Sequence, residues 1–67
     1  MTLKVGDIIE FAGTCPMHTV DRRARIVREF DVGGYMLATL DGTVIKGRFP
    51  LAELDGYGWE IVEKGAI

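Results

Sequence analysis

Two runs rich in β-forming residues, separated by the dipeptide Asp41-Gly42, make up residues 35–49, YMLATLDGTVIKGRF. Asp-Gly between two such runs is typical of a two-residue type I′ hairpin turn, because both turn residues then need positive φ. The stretch therefore predicts two antiparallel strands, over residues 35–40 and 43–49.

The predicted turn also fixes which hairpin side chains share a face. With a two-residue turn, Leu40 faces Thr43 and Ala38 faces Ile45. The predicted core face comprises Met36, Ala38, Leu40, Ile45 and Phe49. The opposite face comprises Tyr35, Leu37, Thr39, Val44, Lys46 and Arg48. A solvated antiparallel sheet usually has a more polar outer face, so we expect this face to contact a partner. The alternative is that strong coiling of a small barrel buries part of both faces.

Short elements are predicted on both sides of the hairpin. Residues 8–11 predict a first strand and residues 59–62 a last strand, whereas residues 12–18, with Gly13 and Pro16, predict a loop. Pro50 removes a backbone donor, and residues 51–54 leave room for only one helical or 3₁₀ turn.

Residues 19–30 fit two different elements. As a helix, the segment has Thr19 as an N-cap and an Arg25–Glu29 pair at i, i+4. As a strand, it alternates apolar and polar residues, provided that a β-bulge near Val27 restores the alternation. We favour a strand from about residue 22 to residue 30, since the other predicted elements are short strands and one more strand completes a five-stranded barrel. The predicted fold is all-β, a five-stranded SH3-like barrel with one short 3₁₀ turn; the alternative is α+β with a helix at about 19–30.

Two families of SH3-like barrels resemble parts of this sequence. The pattern Gly34-Tyr35-x-Leu37-x-x-Leu40-Asp41-Gly42, followed by Phe49 and Leu54, is similar to the carboxy-terminal domain of retroelement integrases. That resemblance covers about a third of the chain and implies a domain that binds DNA and protein.

The second resemblance is to the plasmid-borne type II dihydrofolate reductases, which are homotetramers around one pore. It rests on Val5-Gly6-Asp7, Gly34-Tyr35 and Phe49-Pro50-Leu51-Ala52-x-Leu54. The pore strand of that family carries Val-Gln-Ile-Tyr, but this sequence has Gly47-Arg48-Phe49 where Gln-Ile-Tyr would fall. The resemblance implies the fold, and the reductase activity is not expected without the glutamine.

Length and composition indicate one small domain, residues 1–67. The chain is 48% hydrophobic and has one cysteine, Cys15, so it has no internal disulfide. A core of this size supplies only about 3–5 kcal/mol of net stability, which makes support from oligomerisation or a partner plausible. Neither a signal peptide nor a run long enough to cross a bilayer is recognisable, so we expect a cytoplasmic protein without a membrane partner.

Basic residues are concentrated on the segment over residues 22–28 although the net charge is −2. This segment and the apolar-cationic hairpin face together give the predicted partner-binding residues, namely Arg23, Arg25, Arg28, Tyr35, Leu37, Lys46 and Arg48. The patch suits a protein partner or, as an alternative, a nucleic acid. The alternative to both is a solvated strand whose arginines pair with nearby acids.

Tyr57 and Trp59, one residue apart, are predicted to share a strand face and could form an aromatic surface or cage for a cation, with core packing as the alternative.

Cys15-Pro16-Met17-His18 contains ligand types for haem or Cu(I), but one loop offers at most three ligands. We therefore expect no bound metal or cofactor.

Signatures of catalysis are absent from the sequence. It has one histidine, His18, and contains neither a serine nor a phosphate-binding loop. The sequence predicts a non-catalytic interaction module that binds a protein partner or associates with its own copies. A nucleic-acid-binding barrel is the alternative, and a homo-oligomeric enzyme with a shared central pore is the third hypothesis.

Overall fold

The computed structural model describes residues 3–13 and 22–65. Its elements are strand β1 (Ile8–Phe11), strand β2 (Arg23–Glu29), strand β3 (Tyr35–Ala38), helix α1 (Leu51–Tyr57) and strand β4 (Trp59–Glu63). The four strands form one open antiparallel sheet in the order β3-β2-β1-β4. The predicted predominance of antiparallel β structure is confirmed, as are the first and last strands.

Strand β2 settles the ambiguity over residues 19–30 for the part that the structure describes. Residues 23–29 are extended and pair with both β1 and β3, so a helix there is wrong. The register against β3 shifts between Ile26 and Arg28, which places a bulge at Val27, where the conflicting pattern predicted one. Ala24 and Ile26, two residues apart and both before the bulge, are buried on the inner face of the sheet.

The hairpin after β2 has a different turn from the predicted one. Thr39 and Thr43 close it, since the Thr39 N–H donates to the Thr43 carbonyl and Ala38 pairs with Val44. The turn therefore has three residues, 40–42. Positive φ occurs at Gly42 (100°), whereas Arg22 is the only non-glycine residue with positive φ in the described ranges, so the turn is not type I′. A type I turn followed by a left-handed glycine has this geometry.

The predicted fourth barrel strand is interrupted. Tyr35 pairs with Phe49 and Ile45 bonds to Leu37, which leaves Met36 alone opposite three residues, 46–48. Gly47, at φ 112°, lies in this irregular segment. The described residues thus form four regular strands in an open sheet, and the predicted fifth strand and barrel closure are not observed there.

A true α-helix replaces the predicted 3₁₀ turn. Helix α1 begins after Pro50, extends over seven residues and ends where Gly58 adopts φ 69°. Leu54 is its buried residue and fills the core under the sheet. The prediction of a short 3₁₀ turn over residues 51–54 was wrong because the helix continues through Gly56 to Tyr57.

The inner face of the sheet carries the core. Its buried members are Leu3, Ile9, Phe11, Ala24, Ile26, Tyr35, Leu37 and Leu54, and Ile45, Phe49, Tyr57, Trp59 and Ile61 pack partly buried against them. The side chain of Asp7 is also buried, and its carboxylate accepts backbone hydrogen bonds from Lys4 and Gly65. The opposite face of the sheet is thus the one left for contacts.

Candidate interaction surface

The cationic band of the outer face comes from strand β2. Arg23 and Arg25 alternate with the buried Ala24 and Ile26, so both arginines are exposed. The bulge at Val27 then shifts the alternation by one residue and brings Arg28 to the same exposed face, opposite Met36. Three guanidinium groups therefore project from one strand of the sheet.

Arg23 is the arginine of this band that is engaged in an ion pair. Its Nε atom lies 2.9 Å from Oε2 of Glu10, the residue that pairs with it on β1. Both side chains are about half exposed, so this pair contributes at most about 1 kcal/mol to stability. In residues 3–13 and 22–65 it is the single ion pair, which leaves Arg25 and Arg28 free of a carboxylate there.

Arg28 is oriented by an aromatic ring instead. Its guanidinium carbon lies 5.1 Å from the centroid of the Phe30 ring, which is the geometry of a cation–π contact. One face of the Phe30 ring is therefore occupied by Arg28.

Lys46 and Arg48 lie on the irregular segment beyond β3, and both are exposed. Nη1 of Arg48 donates a 2.7 Å hydrogen bond to the Gly33 carbonyl. The side chain also packs on Gly34, where an added Cβ would lie 2.7 Å from its Cγ. Arg48 is therefore held against the turn that precedes β3.

Acidic residues lie on the other half of the outer face, and sequence reasoning missed them as a group. Glu10 on β1 pairs with Glu60 on β4, and Glu63 on β4 pairs with Ile8 on β1. Glu60 and Glu63 are exposed. The two strands are almost 50 residues apart in the chain, so no local pattern reveals this neighbourhood.

Two of the predicted contact residues are in the core. Tyr35 is 7% exposed and Leu37 fully buried, so the prediction that they face outward is wrong. A one-residue change of register exchanges the two faces of a strand, and the longer turn makes that change here. Burial, followed by the nearby charge of Glu29, raises the pKa of Tyr35 above its ordinary value.

Tyr57 and Trp59 do not share a strand face, because Tyr57 ends helix α1 and Trp59 begins β4. Trp59 donates through Nε1 to Asp55, and the Tyr57 hydroxyl donates to Glu53. Tyr57 also meets the Phe11 ring edge to face, with the ring centroids 6.0 Å apart. The hydrogen bond to Glu53, together with desolvation, raises the pKa of Tyr57. Both rings are thus partly buried packing groups, which was the alternative to a cage.

A groove of about 410 Å³ follows strand β4 and is lined by Glu60, Ile61, Val62, Glu63 and Lys64. Its lining is five consecutive residues, four from β4 and the residue after it, so it is an open depression along the edge of the sheet that includes two of the acidic residues.

The described ranges contain no group of three or more His, Cys, Asp and Glu side chains that could hold a metal ion. Residues 15–18, the segment with haem and Cu(I) ligand types, lie outside those ranges. Among the described residues there is no helix long and apolar enough to cross a membrane.

Comparisons with protein-family models, with curated proteins and with solved structures gave no match to this chain. The surface itself therefore carries the functional argument.

Proposed function

We propose that the protein is a non-catalytic interaction module of the SH3-like type that docks a protein surface on the outer face of its sheet. One observation carries the proposal: exposed guanidinium groups of β2 lie beside exposed carboxylates of β1 and β4, and a single ion pair, Arg23–Glu10, joins the two groups within the described residues. Unpaired charges of both signs at fixed positions favour a partner with a complementary charge pattern.

The order of the paired segments supports the barrel type. Strand β4 lies beside β1, β1 beside β2, and β2 beside β3, while residues 43–49 bridge to β3 at two points. From β1 to residues 43–49, each segment thus neighbours the next in the chain, and β4 neighbours β1. A five-stranded ring would need only one further seam, between residues 43–49 and β4.

The mixed charge of the face favours protein over nucleic acid. A phosphate backbone would be attracted by Arg25 and Arg28 but repelled by Glu60 and Glu63 on the same face. The net charge of −2 adds no long-range attraction for phosphate. A protein partner can place an acid against each arginine and a base against each glutamate.

The test is a fluorescence anisotropy titration with two probes, a labelled mixed-charge peptide that has a glutamate block and a lysine block, and a labelled single-stranded oligonucleotide. We expect the peptide to bind with an affinity that falls with salt, and the Arg25→Glu variant to weaken that affinity at least about tenfold. The control is Lys4→Glu, which makes the same change of charge sign on an exposed residue before β1.

The other outcomes of this titration are equally informative. Tighter binding of the oligonucleotide than of the peptide would replace the proposal with the nucleic-acid alternative. Failure of both probes at low salt, or equal losses in Arg25→Glu and Lys4→Glu, would overturn docking on the outer face.

A further inference from the structure

One row of residues across the outer face has opposite charges at its two ends. Ile8 of β1 pairs with Arg25 of β2 on one side and with Glu63 of β4 on the other. Paired residues of neighbouring strands point to the same side of the sheet, so the three side chains share the outer face. Arg25 and Glu63 are exposed, and Ile8 is 8% exposed between them.

The two charges of this row do not neutralise each other within one chain. Neighbouring strands lie about 4.8 Å apart, so Arg25 and Glu63, two strands apart, are separated by roughly 10 Å at the backbone. In the described part of the chain neither side chain has an ion-pair partner. Each therefore has its charge available for a contact from outside.

We propose that this face binds a second copy of the same chain, with the two sheets face to face around a two-fold axis that runs along β1. The axis exchanges the two sides of the row. Arg25 then meets the partner subunit's Glu63, and Glu63 meets the partner subunit's Arg25. The two Ile8 side chains lie at the centre, and farther along the axis the two Glu10 carboxylates face each other, each neutralised by Arg23 of its own chain. This inference rests on the proposed docking face and names its occupant.

Charge complementarity selects a second copy over an unrelated protein. A row that reads positive, apolar, negative matches itself after a two-fold rotation, as an isologous interface requires. An unrelated partner would need its own row of positive, apolar and negative residues at the matching spacing.

The expected dimer is weak and sensitive to salt. From strand spacing and the rise per residue, the sheet measures only about 20 Å by 17 Å. The surface that each subunit can bury is therefore smaller than in a standard interface, which buries about 800 Å² on each partner. Little of Ile8 is exposed, so the two charge contacts dominate the association, and ions screen them.

Sedimentation equilibrium of the chain alone, at increasing protein concentration and low salt, tests the dimer, and charge reversal tests its geometry. In an Arg25→Glu dimer, a glutamate would face a glutamate at both symmetric contacts, and in a Glu63→Arg dimer an arginine would face an arginine at both. Each variant alone should therefore be monomeric. An equimolar mixture of the two variants restores both attractive contacts, and we expect it to dimerise at least about as tightly as the unchanged chain. Asp31→Arg, in the exposed turn after β2, matches the charge change of Glu63→Arg and should dimerise normally.

The inference is overturned if the unchanged chain is monomeric at every concentration, or if the mixed variants stay monomeric although each remains folded by circular dichroism. Both substituted side chains are exposed, so we expect folding to survive. If the chain is monomeric yet still binds the mixed-charge peptide, self-association alone fails and the proposed docking face stands. If the peptide also fails, both fall.

Discussion

Oδ1 of Asp7 accepts a 2.7 Å hydrogen bond from the backbone N–H of Gly65, which ties the turn before β1 to the chain just beyond β4. The other carboxylate oxygen accepts the N–H of Lys4 at 3.0 Å. Replacing Asp7 with alanine leaves both donors without this acceptor in a largely buried site. We expect Asp7→Ala to lower the free energy of unfolding by about 2–3 kcal/mol, measured by urea denaturation. The control is Asp31→Ala, on an exposed turn, and equal losses in the two variants would contradict the role of Asp7.

The same carboxylate makes stability depend on pH in the acid range. Burial alone raises the pKa of Asp7, but hydrogen bonds from Gly65 and Lys4 outweigh it, so the folded-state pKa lies below the ordinary value. The contribution is therefore fully present above the unfolded pKa of about 3.9 and is lost as pH falls through the folded pKa. We expect the stability difference between the unchanged chain and Asp7→Asn to be constant above about pH 5 and to shrink below about pH 4. A difference independent of pH would refute this.

The register of the hairpin predicts opposite burial for two neighbouring residues. Leu37 is fully buried in the core, whereas Met36 lies partly exposed on the outer face. We expect Leu37→Ala to cost about 2–5 kcal/mol in urea denaturation and Met36→Ala clearly less. A larger loss for Met36→Ala would indicate the alternative register, with a two-residue turn.

Two glycines with open surroundings should respond in opposite directions to the same substitution. Gly42 has φ 100° and Gly56 lies inside helix α1, and an added Cβ meets nothing within 4 Å at either position. We expect Gly42→Ala to destabilise by about 1 kcal/mol because of backbone strain. Gly56→Ala should stabilise by about 0.5–1 kcal/mol, since alanine loses less conformational freedom in a helix. Thermal melting of both variants checks this, and shifts of the same sign would be inconsistent with these backbone conformations.

Gly13 is restricted by contact instead of by φ. A Cβ at Gly13 would lie 2.5 Å from the carbonyl oxygen of Tyr57, a backbone atom whose hydrogen bond to the Gly13 N–H joins the end of β1 to helix α1. We expect Gly13→Ala to destabilise by about 1–3 kcal/mol and to speed hydrogen exchange at this junction. Gly33→Ala has no such neighbour and gives a reference for strain alone, at φ 95°.

Local pattern was sufficient to predict β1, β2, β3 and β4, and insufficient to predict which side of the hairpin faces the core. The conflict between Val27 and Arg28 predicted the bulge, because one residue had to be skipped for the arginines and apolar residues to alternate. Asp41-Gly42, however, fits both a two-residue and a three-residue turn, since each requires a glycine with positive φ. Whether Leu40 belongs to the turn depends on tertiary packing of Tyr35 and Leu37, which the dipeptide does not encode.

Prediction of the interaction surface depended still more on long-range strand pairing. The arginines of β2 were identified because they are close in sequence, and they are indeed exposed. The carboxylates of Glu10 and Glu60 come together only because β1 pairs with β4. The strand prediction for residues 43–49 failed for the same reason. Gly47 fits a strand by local sequence, and its irregular conformation is evident only from its position opposite β3.

The bulge at Val27 changes which positions of β2 point outward. Outward cations before it fall on odd-numbered positions, Arg23 and Arg25, and after it on an even one, Arg28. Deleting Val27 would restore strict alternation and would carry Arg28 to an odd position, so the same three cations could share a face without any bulge. The residue is therefore not needed to align the charges. What it adds is extra local twist between the arginines, so it tunes the angle at which the last guanidinium leaves the sheet.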